Sequence, residues 1–199
     1  MKSSVYFDTS VLYGVPFDLN NAQFNLLKEL CKILGMNVYL PEVVLSEWMD
    51  GKKKAIENDI RKIENCYKVL GKKVTVGSIV PEVIDEKTIQ NQVETTLKKR
   101  LEECNIKVIK TPSISFKFLL DRALQKIRPF EDDDKGFRDT VILLTLLEHA
   151  KENSIDVLYF LTNDAVFGHK HVEELVSTYK GMKIKILASL EEFNKSLLE

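Results

Sequence analysis

The chain has 199 residues, 44% of them apolar and 30% charged, which suits one globular domain with a core of its own. A formal charge of −1 excludes a protein that holds polyanions by bulk positive charge, so any such ligand must be met by a local patch or by bound cations. The three cysteines, Cys31, Cys66 and Cys104, share no metal-ligand spacing, which argues against a disulfide scaffold or zinc site and for a reducing, cytoplasmic setting. The opening MKSSVYFDTS reaches Asp8 before a signal-peptide apolar region could form, and the longest apolar stretch, Val141 to Leu147, is too short to span a membrane.

Ser4 to Phe7 is a short β-prone run, stopped by Asp8, Thr9 and Ser10, which are turn and helix-cap residues. Leu26, Leu27, Leu30, Ile33 and Leu34 recur at helical spacing, and Gly35 closes that helix. Asn37 to Leu40 reads as a second strand. Pro41 then sits at a favoured first-turn position of a helix carrying Val43, Val44, Glu47 and Trp48.

From Gly51 to about Arg128 the pattern is mostly helical and charged, with Ile56, Ile60, Ile63 and Tyr67 in one series and Val93, Leu97 and Leu101 in another. Lys107 to Lys110 is a third strand, and Phe116, Leu119, Leu120, Ala123, Leu124 and Ile127 make a further helix. Phe137 to Ala150 is a strong helix that presents Ile142, Leu143, Leu146, Leu147 and Ala150 on one face. Asp156 to Leu161 is a nearly all-apolar strand, as expected where helices cover both faces of a parallel sheet. Lys183 to Leu187 is the last strand, and Leu190 to Leu198 a closing helix.

Strands separated by helices throughout predict a three-layer α/β/α fold with a mainly parallel sheet. The expected organisation is a single domain over residues 1–199, with a charged helical insertion at about 51–130. Open sheets of this kind bind ligands beyond the carboxyl ends of their strands, near the point where strand order reverses. Asp8 follows the first strand, and Asp164 follows the strand ending at Leu161. Asp139 lies near the start of the strong helix, and Glu47 stands about two turns into the helix after the second strand.

Carboxylates gathered at one sheet edge repel one another. A pair roughly 4 Å apart costs about 4 kcal/mol at an effective dielectric near 20. Four of them stay ionised together only with cations between them or with strong pKa shifts. An all-oxygen site with neither cysteine nor histidine suits Mg²⁺ or Mn²⁺, and two such ions can serve an in-line displacement at phosphorus.

The segments Val5–Ser10, Leu40–Glu47, Gly136–Ile142 and Phe160–Phe167 resemble, in order, the four motifs of PIN-domain nucleases. The resemblance implies that Asp8, Glu47, Asp139 and Asp164 are the catalytic, metal-binding acids, with Thr9, Ser10, Thr162 and Asn163 supporting them. It implies an endoribonuclease that hydrolyses single-stranded RNA by a divalent-metal-activated water and leaves a 5′-phosphate and a 3′-hydroxyl. It covers the sheet framework and both ends of the chain, and does not account for residues 51–130.

Each acid also has a plainer reading. Asp8 and Asp164 can cap helices, Asp139 gains from a helix dipole, and Glu42 competes with Glu47 but fits better as a first-turn acid. The run Glu131 to Asp134 reads as a solvated loop, His169 and His171 as exposed helix residues, and His149 as structural. Residues 51 to 80 hold eight Lys or Arg against three acids, a local charge of +5. Lys52, Lys53 and Lys54 from this patch, with Lys135 and Arg138 beside Asp139, are the candidate contacts to a nucleic-acid backbone. An antitoxin protein or a second copy of the chain is the protein partner this reading admits.

Three alternatives stand beside it. One is a non-catalytic PIN-like RNA-binding or scaffold protein, and another the toxin nuclease of a toxin–antitoxin pair. The third is an aspartyl-phosphate phosphatase, which would need an acid where Ser10 stands.

Overall fold

A computed structural model of the chain describes residues 2–16, 18–73, 85–127, 129–130 and 136–198. The elements, in order, are β1 (Ser3–Phe7), α1 (Thr9–Leu12), α2 (Ala22–Ile33), β2 (Asn37–Pro41), α3 (Glu42–Lys73), α4 (Glu86–Glu103) and β3 (Ile106–Ile109). They continue with α5 (Phe116–Leu124), α6 (Phe137–Glu152), β4 (Val157–Leu161), a 3₁₀ turn (Ala165–Phe167), α7 (His169–Ser177), β5 (Lys183–Leu187) and α8 (Leu190–Leu198).

The strands form one five-stranded sheet in the order β3-β2-β1-β4-β5, every pair parallel. The fold is the three-layer α/β/α sandwich that the alternating pattern predicts. Parallel neighbours need right-handed crossovers. The chain runs outward from β1 through β2 to β3, then returns past β1 to β4 and β5. That reversal puts crossover helices on both faces and opens a crevice at the carboxyl ends of β1 and β4.

The core is continuous across the sheet. Val5, Tyr6 and Phe7 of β1 and Leu158, Phe160 and Leu161 of β4 are almost wholly buried, with Trp48, Phe24, Leu146 and Phe193 from the helices packed on them. In α6 every residue from Thr140 to Leu147 is buried, not one face only, because the helix is enclosed on several sides. Thr140 and Thr145 survive there by donating to the carbonyls of Gly136 and Val141 one turn earlier.

Several local readings are corrected. Pro41 closes β2, in register with Ile109, instead of opening the helix. The β1–β2 pairing ends at Tyr39, so Pro41 has no partner on β1. On α2 the buried face is Phe24, Leu27, Leu30 and Cys31, while Leu26, Ile33 and Leu34 are exposed, because Leu26 and Ile33 lie on the other side of the helix and Leu34 is its cap. On α5, Leu119 and Arg122 are buried, whereas Phe116, Leu120 and Leu124 face out.

Within residues 51–130 the chain builds most of α3, all of α4 and α5, and the edge strand β3. Helix α3 runs unbroken from Glu42 through Gly51 to Lys73, packs on α4 and α6, and exposes all of residues 61–70. No helix among the described residues is long and apolar enough to cross a membrane.

Candidate functional site

Asp8 is the residue at which β1 stops. Its backbone N–H still bonds to the Leu161 carbonyl at 2.9 Å, so the end of β1 is tied to the end of β4. Its side chain is only 5% exposed, and Oδ2 accepts from Thr162 Oγ1 at 2.7 Å and from Ser10 Oγ at 2.5 Å. The same oxygen caps α1 through the Ser10 N–H at 3.4 Å. The capping role and the role at the cleft therefore coexist in one carboxylate.

Hydroxyls bind this corner together. Ser10 Oγ accepts from the Asn163 N–H at 3.1 Å, and Thr162 Oγ1 accepts from the Asp164 N–H at 3.1 Å. Asp164 itself is exposed and caps the 3₁₀ turn, accepting from the Val166 N–H at 2.9 Å. Thr9, Ser10 and Thr162 thus act through their hydroxyls, and Asn163 through its backbone.

Glu47 comes from α3, whose position is secured by the fully buried Trp48 next to it. Its Oε2 accepts from Thr9 Oγ1 at 2.7 Å, and its Oε1 pairs with the Arg138 guanidinium. Glu42 points elsewhere and accepts from the Thr111 N–H at 2.8 Å, just past β3. Five residues along a helix turn the side chain by about 140°, so the two glutamates cannot serve one site.

Asp139 lies in the first turn of α6, whose N-cap Gly136 has φ +94°. A Cβ at Gly136 would stand 2.0 Å from the Pro129 carbonyl oxygen, so only glycine lets the chain enter the helix here. Burial pushes the Asp139 carboxyl up to about 6, reinforced by the negative charges of Asp164, Asp8 and Glu47 and opposed by Arg138.

The four acids line one cleft of about 460 Å³, together with Thr9, Ser10, Tyr13, Gly136, Phe137 and Arg138. This is the crevice expected at the β1/β4 reversal. Among the described residues no histidine or cysteine lines it, and the donor chemistry is that of a hard, oxygen-seeking cation. As the side chains stand, no group of three or more His, Cys, Asp or Glu among the described residues is disposed to hold a metal ion. Asp8 accepts from two hydroxyls, Asp164 from the Val166 N–H, and Glu47 from Thr9 and Arg138.

The basic candidates separate. Arg138 stands at the cleft. Lys52 donates to the carbonyls of Tyr13 and Val15 at 3.4 and 3.3 Å, holding the loop after α1. Lys53 lies 3.9 Å from Glu94 of α4, and Lys54 is exposed. Lys135 and the run Glu131 to Asp134 lie outside the described residues. His149 is structural, accepting or donating at Nδ1 with the Tyr6 hydroxyl at 2.9 Å and packing edge-on to Tyr39. Sequence reasoning missed Tyr13 and Phe137 as cleft residues. The signal for Phe137 was its place between Gly136 and Asp139, while Tyr13 carried none.

A family model described as PIN domain matches residues 5–167. No curated protein and no solved structure matches the chain.

Proposed function

The chain belongs to the PIN-domain family, and on that premise we propose that it is a metal-dependent endoribonuclease acting on single-stranded RNA. One observation carries the proposal: Asp8, Glu47, Asp139 and Asp164, spread over 157 positions of sequence, line a single cleft at the sheet's reversal point. In this reading the four carboxylates hold Mg²⁺ or Mn²⁺. When bound, such an ion activates water and offsets charge at the phosphodiester.

The protein's own contribution is orientation. Thr162 and Ser10 hold Asp8, Thr9 holds Glu47, and the first turn of α6 presents Asp139. Holding such groups in advance lowers the cost of assembling them at the moment of reaction. Arg138 at the cleft supplies positive charge for a phosphate, and Lys52, Lys53 and Lys54 on α3, with Lys135 outside the described residues, remain the candidate contacts along the backbone. Point charges of this kind position a strand without reading its bases.

The Arg138–Glu47 pair favours a second reading, a PIN-like protein that binds RNA without cutting it, since a guanidinium there answers the negative charge that a cation would otherwise answer. One experiment separates the two. Labelled single-stranded RNA and DNA are incubated with Mg²⁺ or Mn²⁺ and wild-type protein, Asp8→Asn or Asp164→Asn. Cleavage by the wild type, reduced more than about a hundredfold in each variant, is the expected result. Undiminished cleavage by both variants overturns the assignment, and RNA binding without cleavage in Mn²⁺ selects the second reading.

A further inference from the structure

The acidic cleft has two aromatic residues in its lining. Tyr13 follows α1 and is 57% exposed, and Phe137 opens α6 and is 52% exposed. Large rings left this open to water forgo the burial that stabilises most aromatics in a fold. Here both residues line the same cleft as the four carboxylates, from elements otherwise far apart in sequence.

Tyr13 is held in place. The Lys52 ammonium donates to its carbonyl, and its ring edge lies over α3 where Gly51 has no side chain, 3.5 Å from where a Cβ would be. Phe137 stands two residues before Asp139, on a turn whose geometry the Gly136 conformation sets. Neither ring is on a free loop tip. A cleft of about 460 Å³ is within the range of small-ligand sites, so it has room for part of a nucleotide beside the acids.

We infer that Tyr13 and Phe137 are base-stacking platforms, so that the cleft takes a strand whose bases are unpaired next to the phosphodiester at the carboxylates. The inference rests on the nuclease reading above and adds how the substrate is gripped. Phosphate-directed cations do not by themselves distinguish single strands from duplexes, because both carry the same backbone. Aromatic faces do, since a duplex keeps its bases stacked inside. Stacking is also tolerant of sequence, because every base has a π-face.

The test uses fluorescence anisotropy with the full chain in Ca²⁺ and two single-stranded RNA oligonucleotides, one intact and one with central abasic positions. The wild type binds the intact strand about 5- to 150-fold more tightly than the abasic one, the range of one stacked base. Tyr13→Ala and Phe137→Ala each reduce that preference, while Tyr13→Phe keeps it. A 2-aminopurine placed centrally is quenched on binding wild-type protein, a reading that needs no variant to fold. Equal binding of intact and abasic strands, or an unchanged preference in both alanine variants, overturns the inference and leaves the nuclease assignment standing. Absence of both binding and cleavage by the wild type overturns the two together.

Discussion

Thr162 Oγ1 donates a buried hydrogen bond of 2.7 Å to Asp8 Oδ2, joining positions 154 residues apart at the ends of adjacent strands. It is made possible by the β1–β4 register, in which Phe7 lies opposite Leu161. The same hydroxyl accepts from the Asp164 N–H, so one threonine orients both acids that follow the two central strands.

Thr162→Val keeps the shape and removes the donor. A hydrogen bond to a charged group contributes about 1.5–3 kcal/mol, and its loss leaves Asp8 Oδ2 with Ser10 as its remaining hydroxyl. The melting temperature is expected to fall by several degrees, measured by circular dichroism, and cleavage to fall with RNA binding largely retained. Thr162→Ser restores both. Normal cleavage by Thr162→Val would remove the orienting role.

Asp139 makes stability depend on pH in an identifiable direction. Its folded-state carboxyl is raised from 3.8 to about 6, so between these values the folded protein binds more protons than the unfolded chain. Stability from this group is then present at low pH and lost as pH rises from about 4 to 6. Asp139→Asn removes the loss. Without divalent cations the variant should match the wild type near pH 4 and exceed it above pH 6 by about 1 kcal/mol, a value discounted because the group is partly exposed. For a chain of this size that is about 2–4 °C in melting temperature. A difference that is constant across the pH range would contradict it.

Gly136 should tolerate no side chain. Gly136→Ala places a methyl group against the Pro129 carbonyl at a backbone angle that L-residues avoid. A destabilisation of about 2 kcal/mol or more is expected by urea unfolding, from strain and clash combined. Because Asp139 and Phe137 follow directly, RNA affinity should drop in the same variant even under conditions where it remains folded. A fully stable, fully binding Gly136→Ala protein would show that the α6 entry is pliable.

The identity and order of the elements were legible in sequence because they depend on short-range periodicity. The β-prone run of β1, the near-continuous apolar run of β4 and the 3.6-residue spacing of α2 and α6 are local properties. So was the occurrence of acids just beyond strand ends, and so was Glu42 as a first-turn helix acid, which the structure turns to the Thr111 N–H. Local reasoning failed where burial depends on what lies opposite. Ile33, Phe116 and Leu124 have apolar side chains at helical spacing and still face water.

The chain by itself determined an alternating α/β pattern and a set of carboxylates placed after its strands. Tertiary structure alone decided that Asp8, Glu47, Asp139 and Asp164 share one cleft, that Arg138 reaches Glu47, and that Tyr13 and Phe137 stand at its rim. The reason is that strand order and register are set by non-local pairing and packing. No window of sequence contains both sides of the β1–β4 junction, and the cleft exists only once that junction has formed.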